Sequence, residues 1–283
     1  MEYIKLNNGM EIPKLGIGTF MLSPKEAEES VLTALENGYR HIDTANAYMN
    51  ERAVGRAIKK SGVPREEITL VTKLFPNTYK NADEQIDATL ERLGVDYVDI
   101  LLLHQPYGKV EMAWKSAEKA VRDGKVKAIG VCNFLAKDMD KLLEYATIKP
   151  VLIQNECHPY YSQKDLRDRY RKEGISIEAW YPLGHGDAGL MGEKVFEKLS
   201  EKYNKSKVQI ILRWHMQSGN IAIPGSKNPE HIKSNMDIFD FTLTGEEMDR
   251  IAGLDGRKKF FNIPRPIASL MFTNVKMNYD AQE

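Results

Sequence analysis

The sequence predicts an α/β fold, a (β/α)8 TIM barrel with an N-terminal β-hairpin closing the barrel base. Three observations carry this. Eight short apolar runs of strand character alternate with helical patterns along the chain. The 283 residues suffice for one large core, so the chain reads as a single domain over residues 1–283 with an irregular segment from about 254 onward. A doubly wound sheet that holds a dinucleotide needs a glycine-rich first turn opening a helix. Gly16-Ile-Gly18 lacks the third glycine, and no helical pattern starts there.

Tyr3–Leu6 and Met10–Ile12 flank Asn7-Asn-Gly9, and Asn-Gly between two short runs signals a hairpin. The strand candidates then follow as Leu15–Thr19, Tyr39–Asp43, Ile68–Lys73, Val98–His104, Val126–Cys132, Leu152–Cys157, Ser176–Tyr181 and Ile221–Pro224. The first helix opens at Ser23-Pro24, with serine as cap and proline in the first turn. It turns Ala27, Val31, Ala34 and Leu35 to one face and stops at Asn37-Gly38. Further helical patterns cover Glu51–Lys60, Ala82–Leu93, Glu111–Arg122, Lys137–Tyr145, Gln163–Glu173 and Ser206–Gln217. Gly192–Lys202 reads as an added helix within one connection. Pro264 and Pro266 suggest an irregular tail wrapped over the barrel.

Composition excludes several function classes. Lys+Arg and Asp+Glu balance at 40 each, so no basic field invites nucleic acid and no polybasic cluster invites a membrane surface. The longest aliphatic run, Ile100–Leu103, is far too short to span a bilayer, and the first residues lack the pattern of a signal peptide. The two cysteines, Cys132 and Cys157, lie in no CxxC or Cys/His cluster, which predicts a reduced, cytoplasmic protein. No phosphate-binding P-loop, HExxH or EF-hand pattern is present, and the sequence offers no case for a metal.

Barrel active sites lie at the carboxyl ends of the strands. Asp43, Lys73 and His104 end successive strand candidates, and Tyr48 follows the first of these. Singly, each has a bland reading: a turn acid, a packing ring, a solvated amine, a structural imidazole. Together they supply carbonyl chemistry. A phenol titrates near 10, a neighbouring ammonium lowers that value, a carboxylate holds the ammonium, and a histidine orients the carbonyl oxygen. Tyr48 is thus the expected proton donor, Lys73 and Asp43 its tuning pair, and His104 the orienting group.

These segments resemble the aldo-keto reductases over nearly the whole chain, with prokaryotic aldehyde and diketogluconate reductases as the nearest type. The resemblance rests on Gly38-Tyr-Arg-His-Ile-Asp43, Tyr48-Met-Asn-Glu51, Val54-Gly55, Lys73, Val98-Asp99, His104-Gln-Pro106, Gly130-Val-Cys-Asn-Phe134, Gln154-Asn-Glu-Cys-His-Pro159 and Ile223-Pro-Gly-Ser226. It implies hydride transfer from NADPH to small aldehydes or ketones, with the family's Asp, Tyr, Lys and His tetrad falling on Asp43, Tyr48, Lys73 and His104.

The resemblance also implies a cofactor site. Cys132, Asn133 and Gln154 match the positions that hold the nicotinamide amide, with Cys132 replacing the usual serine. Trp180 matches the ring that stacks on nicotinamide. Thr19, Asp43, Pro182, Leu183, Gly184 and Asp187 match further contacts, the last three within the loop over the pyrophosphate. Gly225, Ser226, Lys227, Asn228, His231 and Asn235 match the adenosine end. There the family commonly has lysine and arginine where this chain has Gly225 and His231. The expected cofactor is NADP(H), with NAD(H) left open. Phe20, Phe75, His104, Gln105 and Tyr107 match the substrate pocket, and Gln105 in place of a common tryptophan favours small or polar carbonyls. A monomer or weak oligomer is expected. Two other readings stand beside the reductase: a nucleotide-binding barrel with little turnover, and a hydrolytic barrel built on Glu156 and a second carboxylate.

Overall fold

The structure, a computed structural model, describes residues 1–282. The chain begins with β1 (Tyr3–Lys5) and β2 (Glu11–Pro13), paired antiparallel with Ile4 opposite Ile12. Eight parallel strands follow in sequence order: β3 (Ile17–Gly18), β4 (His41–Asp43), β5 (Thr69–Leu74), β6 (Val98–Leu103), β7 (Val126–Cys132), β8 (Leu152–Glu156), β9 (Ser176–Trp180) and β10 (Ile221–Ala222). A parallel bridge between Leu15 and Ala222 joins the two ends. Hydrogen bonds from Gly16 N to Ala222 O, Ala222 N to Lys14 O and Gly18 N to Pro224 O complete the seam. The predicted (β/α)8 fold and its hairpin are both present.

Helices α1 (Pro24–Glu36), α2 (Glu51–Ser61), α3 (Ala82–Leu93), α4 (Val110–Arg122), α5 (Ala136–Tyr145) and α6 (Lys164–Tyr170) fill the connections up to β9. Between β9 and β10 lie α7 (Ala188–Met191), α8 (Lys194–Tyr203) and α9 (Lys207–Gln217), so the added helix is a pair. α10 (Pro229–Asn235), α11 (Gly245–Ala252) and α12 (Arg265–Asn274) follow the last strand. The tail is therefore not wholly irregular. Pro266 sits in the first turn of α12, where a missing N–H does no harm, and Phe272 packs edge-on against Phe75 at 5.4 Å.

The seam strands are shorter than expected, and glycines line this part of the barrel closely. A Cβ on Gly18 would meet Ile223 O at 2.8 Å, and one on Gly16 would meet the His41 ring at the same distance. Inside the barrel, Leu6 and Ile12 of the hairpin join Val71, Ile100, Leu102 and Leu152 in one apolar layer that plugs the base. The larger apolar cluster lies outside the barrel, between strands and helices. Buried on both faces, the strands read as near-continuous apolar runs. Charged groups in the barrel, His41, Asp43, Lys73 and Glu178, are therefore exceptions that need partners.

Candidate active site

Those charges find one another. Lys73, fully buried on β5, donates to Asp43 Oδ1 at 2.6 Å, Thr44 O at 2.9 Å and Tyr48 Oη at 3.2 Å. Asp43 Oδ2 accepts from Gln154 Nε2 at 2.7 Å, and the same amide donates to Glu178 Oε2 at 2.7 Å. Glu178 Oε1 lies 3.1 Å from His41 Nε2, and His41 Nδ1 lies 3.1 Å from Pro13 O of the hairpin. Two cations and two carboxylates thus run down the barrel axis from the mouth to the base, with Gln154 linking the pairs. Sequence reasoning named the upper pair and missed Glu178 and His41. The available signal was a glutamate inside an otherwise apolar strand.

Burial pulls the Lys73 ammonium down, but Asp43, Tyr48 and Cys132 around it together offset this and leave its pKa raised. Burial pushes the Asp43 carboxyl up, against the opposing pull of Lys73. For Tyr48 the expectation fails in sign. Burial raises its pKa, Lys73 pulls it down by less, and the net shift is upward. Phe20 at 5.0 Å, His104 at 5.6 Å and the Lys73 ammonium at 4.8 Å crowd the ring, so a phenolate there would be less hydrated than in free solution. At neutral pH, Tyr48 therefore carries its proton. Burial, then the Lys73 charge, drives the His104 pKa well below its ordinary value, so its imidazole is neutral.

Tyr48 and His104 face a cavity of about 450 Å³ at the carboxyl end of the barrel. Asp43, Asn133, Gln154, Trp180, Pro182, Leu183, Gly225 and Ser226 line it, as do Phe20 and Gln105. Tyr107 instead lines a smaller neighbouring hollow that shares Gln105. Phe75 lies off the cavity wall, edge-on behind His104 at 5.4 Å, because the end of β5 turns its ring outward to Phe272. Thr19 is buried, bonded to Asp43 O and Asn50, and supports the strand ends rather than the wall. Gly184, Asp187, Lys227, Asn228, His231 and Asn235 also lie off the wall. Asp187 caps α7 and pairs with Lys258 of the tail; Asn228 caps α10 with its side chain. Sequence reasoning assigned no site role to Met21, Tyr181 and His185, which the structure places on the wall with Phe261. Met21, Asn133, Tyr181 and His185 all have φ between 51° and 63°, a concentration of backbone strain at the mouth.

Amide geometry is fixed before any ligand arrives. Both Gln154 donors go to carboxylates, while its Oε1 meets only the weak Cys132 thiol at 3.5 Å. Asn133 donates to His104 O at 3.1 Å and to Cys132 Sγ at 3.2 Å, and it accepts from Trp180 Nε1 at 3.1 Å. Glu156 does not face the cavity as a free acid. It accepts from Phe260 N and Phe261 N and lies 3.1 Å from His158, so it clamps the tail and gives a hydrolytic pair no support.

The profile of the Aldo/keto reductase family matches residues 14–255. A glyoxal reductase of Bacillus subtilis is 44% identical over 90% of this chain and 93% of its own length. A methylglyoxal reductase of Escherichia coli K12 is 39% identical over 90% and 94%. The crystal structure of a Bombyx mori aldo-keto reductase in complex with NADP superposes with a TM-score of 0.86, at 32% identity over 93% of this chain and 95% of that one. Among the described residues, no helix is long and apolar enough to cross a membrane. The chain therefore belongs to the aldo/keto reductase family of oxidoreductases.

Proposed function

We propose that this chain is an NAD(P)H-dependent reductase of small aldehydes and α-dicarbonyls, with Tyr48 as proton donor. The observation that carries the reading is the Tyr48 hydroxyl, held 3.2 Å from the Lys73 ammonium at the wall of the cavity. Two relatives named for glyoxal and methylglyoxal support the substrate class.

The residues present fit a nicotinamide dinucleotide. Gln154 Oε1 is an acceptor with little competition, suited to a carboxamide N–H. Trp180 offers an indole beside it on the cavity wall. Bound there, the reduced cofactor supplies the hydride that goes to the carbonyl carbon. Tyr48 gives its proton to the carbonyl oxygen, and Lys73 stabilises the phenolate left behind. Asp43 and Thr44 O keep the ammonium in place through this change of charge. His104, being neutral, orients the oxygen without competing as an acid. Phe20, Trp180 and Phe261 give the cavity wall apolar surface, and Gln105 adds one polar group suited to a second oxygen on the substrate.

Tyr48→Phe keeps the ring and removes the proton. Loss of the donor lowers kcat for methylglyoxal reduction by about 10²–10⁴ while cofactor binding persists. Retention of near-normal kcat sinks the assignment. Cofactor binding to the wild-type chain without oxidation across an aldehyde panel favours the nucleotide-binding barrel instead.

A further inference from the structure

Beside Ser226, at the edge of the cavity where the family resemblance would put the adenosine, one cation meets one acid. Lys227 Nζ lies 3.0 Å from Glu26 Oε1. Glu26 is the third residue of α1, and its other oxygen accepts from both Ser23 N and Ser23 Oγ at 3.0 Å. The bond from the Ser23 backbone, then the bonds from Lys227 and the Ser23 hydroxyl, hold this carboxyl down at about 2. Glu26 is thus a fixed anion at any working pH. The two other positions where a family cation is expected are Gly225 and an exposed His231. A Cβ on Gly225 would lie 3.0 Å from Gly18 O, so the barrel seam leaves little room for a side chain there.

We propose that Glu26 sets the choice between NAD(H) and NADP(H) in this chain, by opposing the 2′-phosphate. The inference rests on the dinucleotide reading above and deepens it. Glu26 engages the lysine that a 2′-phosphate would use, and its own charge repels that dianion. Acidic side chains beside an adenosine ribose accept bonds from the free hydroxyls and so favour the unphosphorylated cofactor. With Lys227 paired and no cation at 225, the preference for NADP(H) becomes weak and NAD(H) becomes a working cofactor.

Glu26→Gln tests this, because glutamine also serves at the third position of a capping box and preserves the helix start. The dissociation constants of NADP⁺ and NAD⁺, which differ only in the 2′-phosphate, are measured on the full chain by quenching of tryptophan fluorescence. The expected result is a shift of their ratio toward NADP⁺ by about tenfold, shrinking at about 0.5 M salt as exposed charges are screened. An unchanged ratio in Glu26→Gln overturns the role of Glu26 while leaving the dinucleotide site intact. Absence of binding by either dinucleotide to the wild-type chain has a different signature: it removes the cofactor reading, and the inference with it.

Discussion

Lys73 has three N–H donors, and all three are engaged, by a carboxylate, a backbone carbonyl and the Tyr48 hydroxyl. Its role is therefore electrostatic. It does not turn Tyr48 into a phenolate in the resting protein, because burial outweighs it. Its charge acts after the proton has left, when an anion appears in a place already built to receive it. A prediction about pH follows. Tyr48 titrates above its ordinary value of about 10 and His104 below its ordinary value of about 6.5, so neither changes charge in between. The kcat/KM for carbonyl reduction is expected to stay flat from about pH 6.5 to about pH 9. A steady-state profile with a falling limb centred near pH 8 contradicts this and requires a phenol with a lowered pKa.

Helix α2 shows why an element needs one particular residue. Gly55 stands inside this helix, where alanine is normally favoured by about 1 kcal/mol. Yet a Cβ at 55 would lie 2.1 Å from Leu93 O and 2.7 Å from Leu93 C, at the end of α3. Backbone cannot swing aside as a side chain can, so packing decides the sign. Gly55→Ala is expected to destabilise the chain by about 2–3 kcal/mol, read as a lower urea midpoint at unchanged slope. A stabilised variant means that α2 and α3 do not cross so tightly. Val54-Gly55 was legible as a family motif, but its reason lies in a contact between elements distant in sequence. The strands were legible because burial on both faces writes itself as apolar runs, and the hairpin because Asn-Gly dictates its turn. Helix α11 had a signal that went unread: Thr244 and Glu247 form a capping box. Helix α12 had almost none, because its place is set by Phe272 against Phe75. That Asp43, Lys73 and His104 meet at one mouth, with Tyr48 just past the first of them, was legible from the order of the strand ends. The position of Phe75 was not, since the direction of a side chain just past a strand end depends on what packs behind it.

Across the whole molecule, buried histidines contribute to how stability varies with pH, and they do so with opposite signs. His41 is fully buried; burial lowers its pKa, but Glu178 at 3.1 Å outweighs that and raises it, so the folded chain keeps this proton. Burial lowers His104 well below the ordinary value and takes His215, whose Nε2 lies 2.9 Å from Pro182 O, to about 3. In the unfolded chain all three titrate near 6.5. Between about pH 5 and 6.5, unfolding takes up protons at His104 and His215 that the folded chain refuses. Stability there rises with pH, by up to about 1.4 kcal/mol per pH unit for each proton. Above 6.5 the unfolded chain releases the His41 proton that the folded chain retains, so the His41 contribution is lost as pH climbs toward its folded pKa. The two trends meet near pH 6.5, and urea unfolding is expected to give its largest free energy there, with lower values at pH 5.5 and at pH 8. A steady rise through pH 8 would mean that His41 is neutral in the folded chain, leaving Glu178 without a counter-charge beneath Gln154. The buried charge chain would then stop at Asp43, and the hairpin would close the barrel base without any electrostatic tie to the site above it.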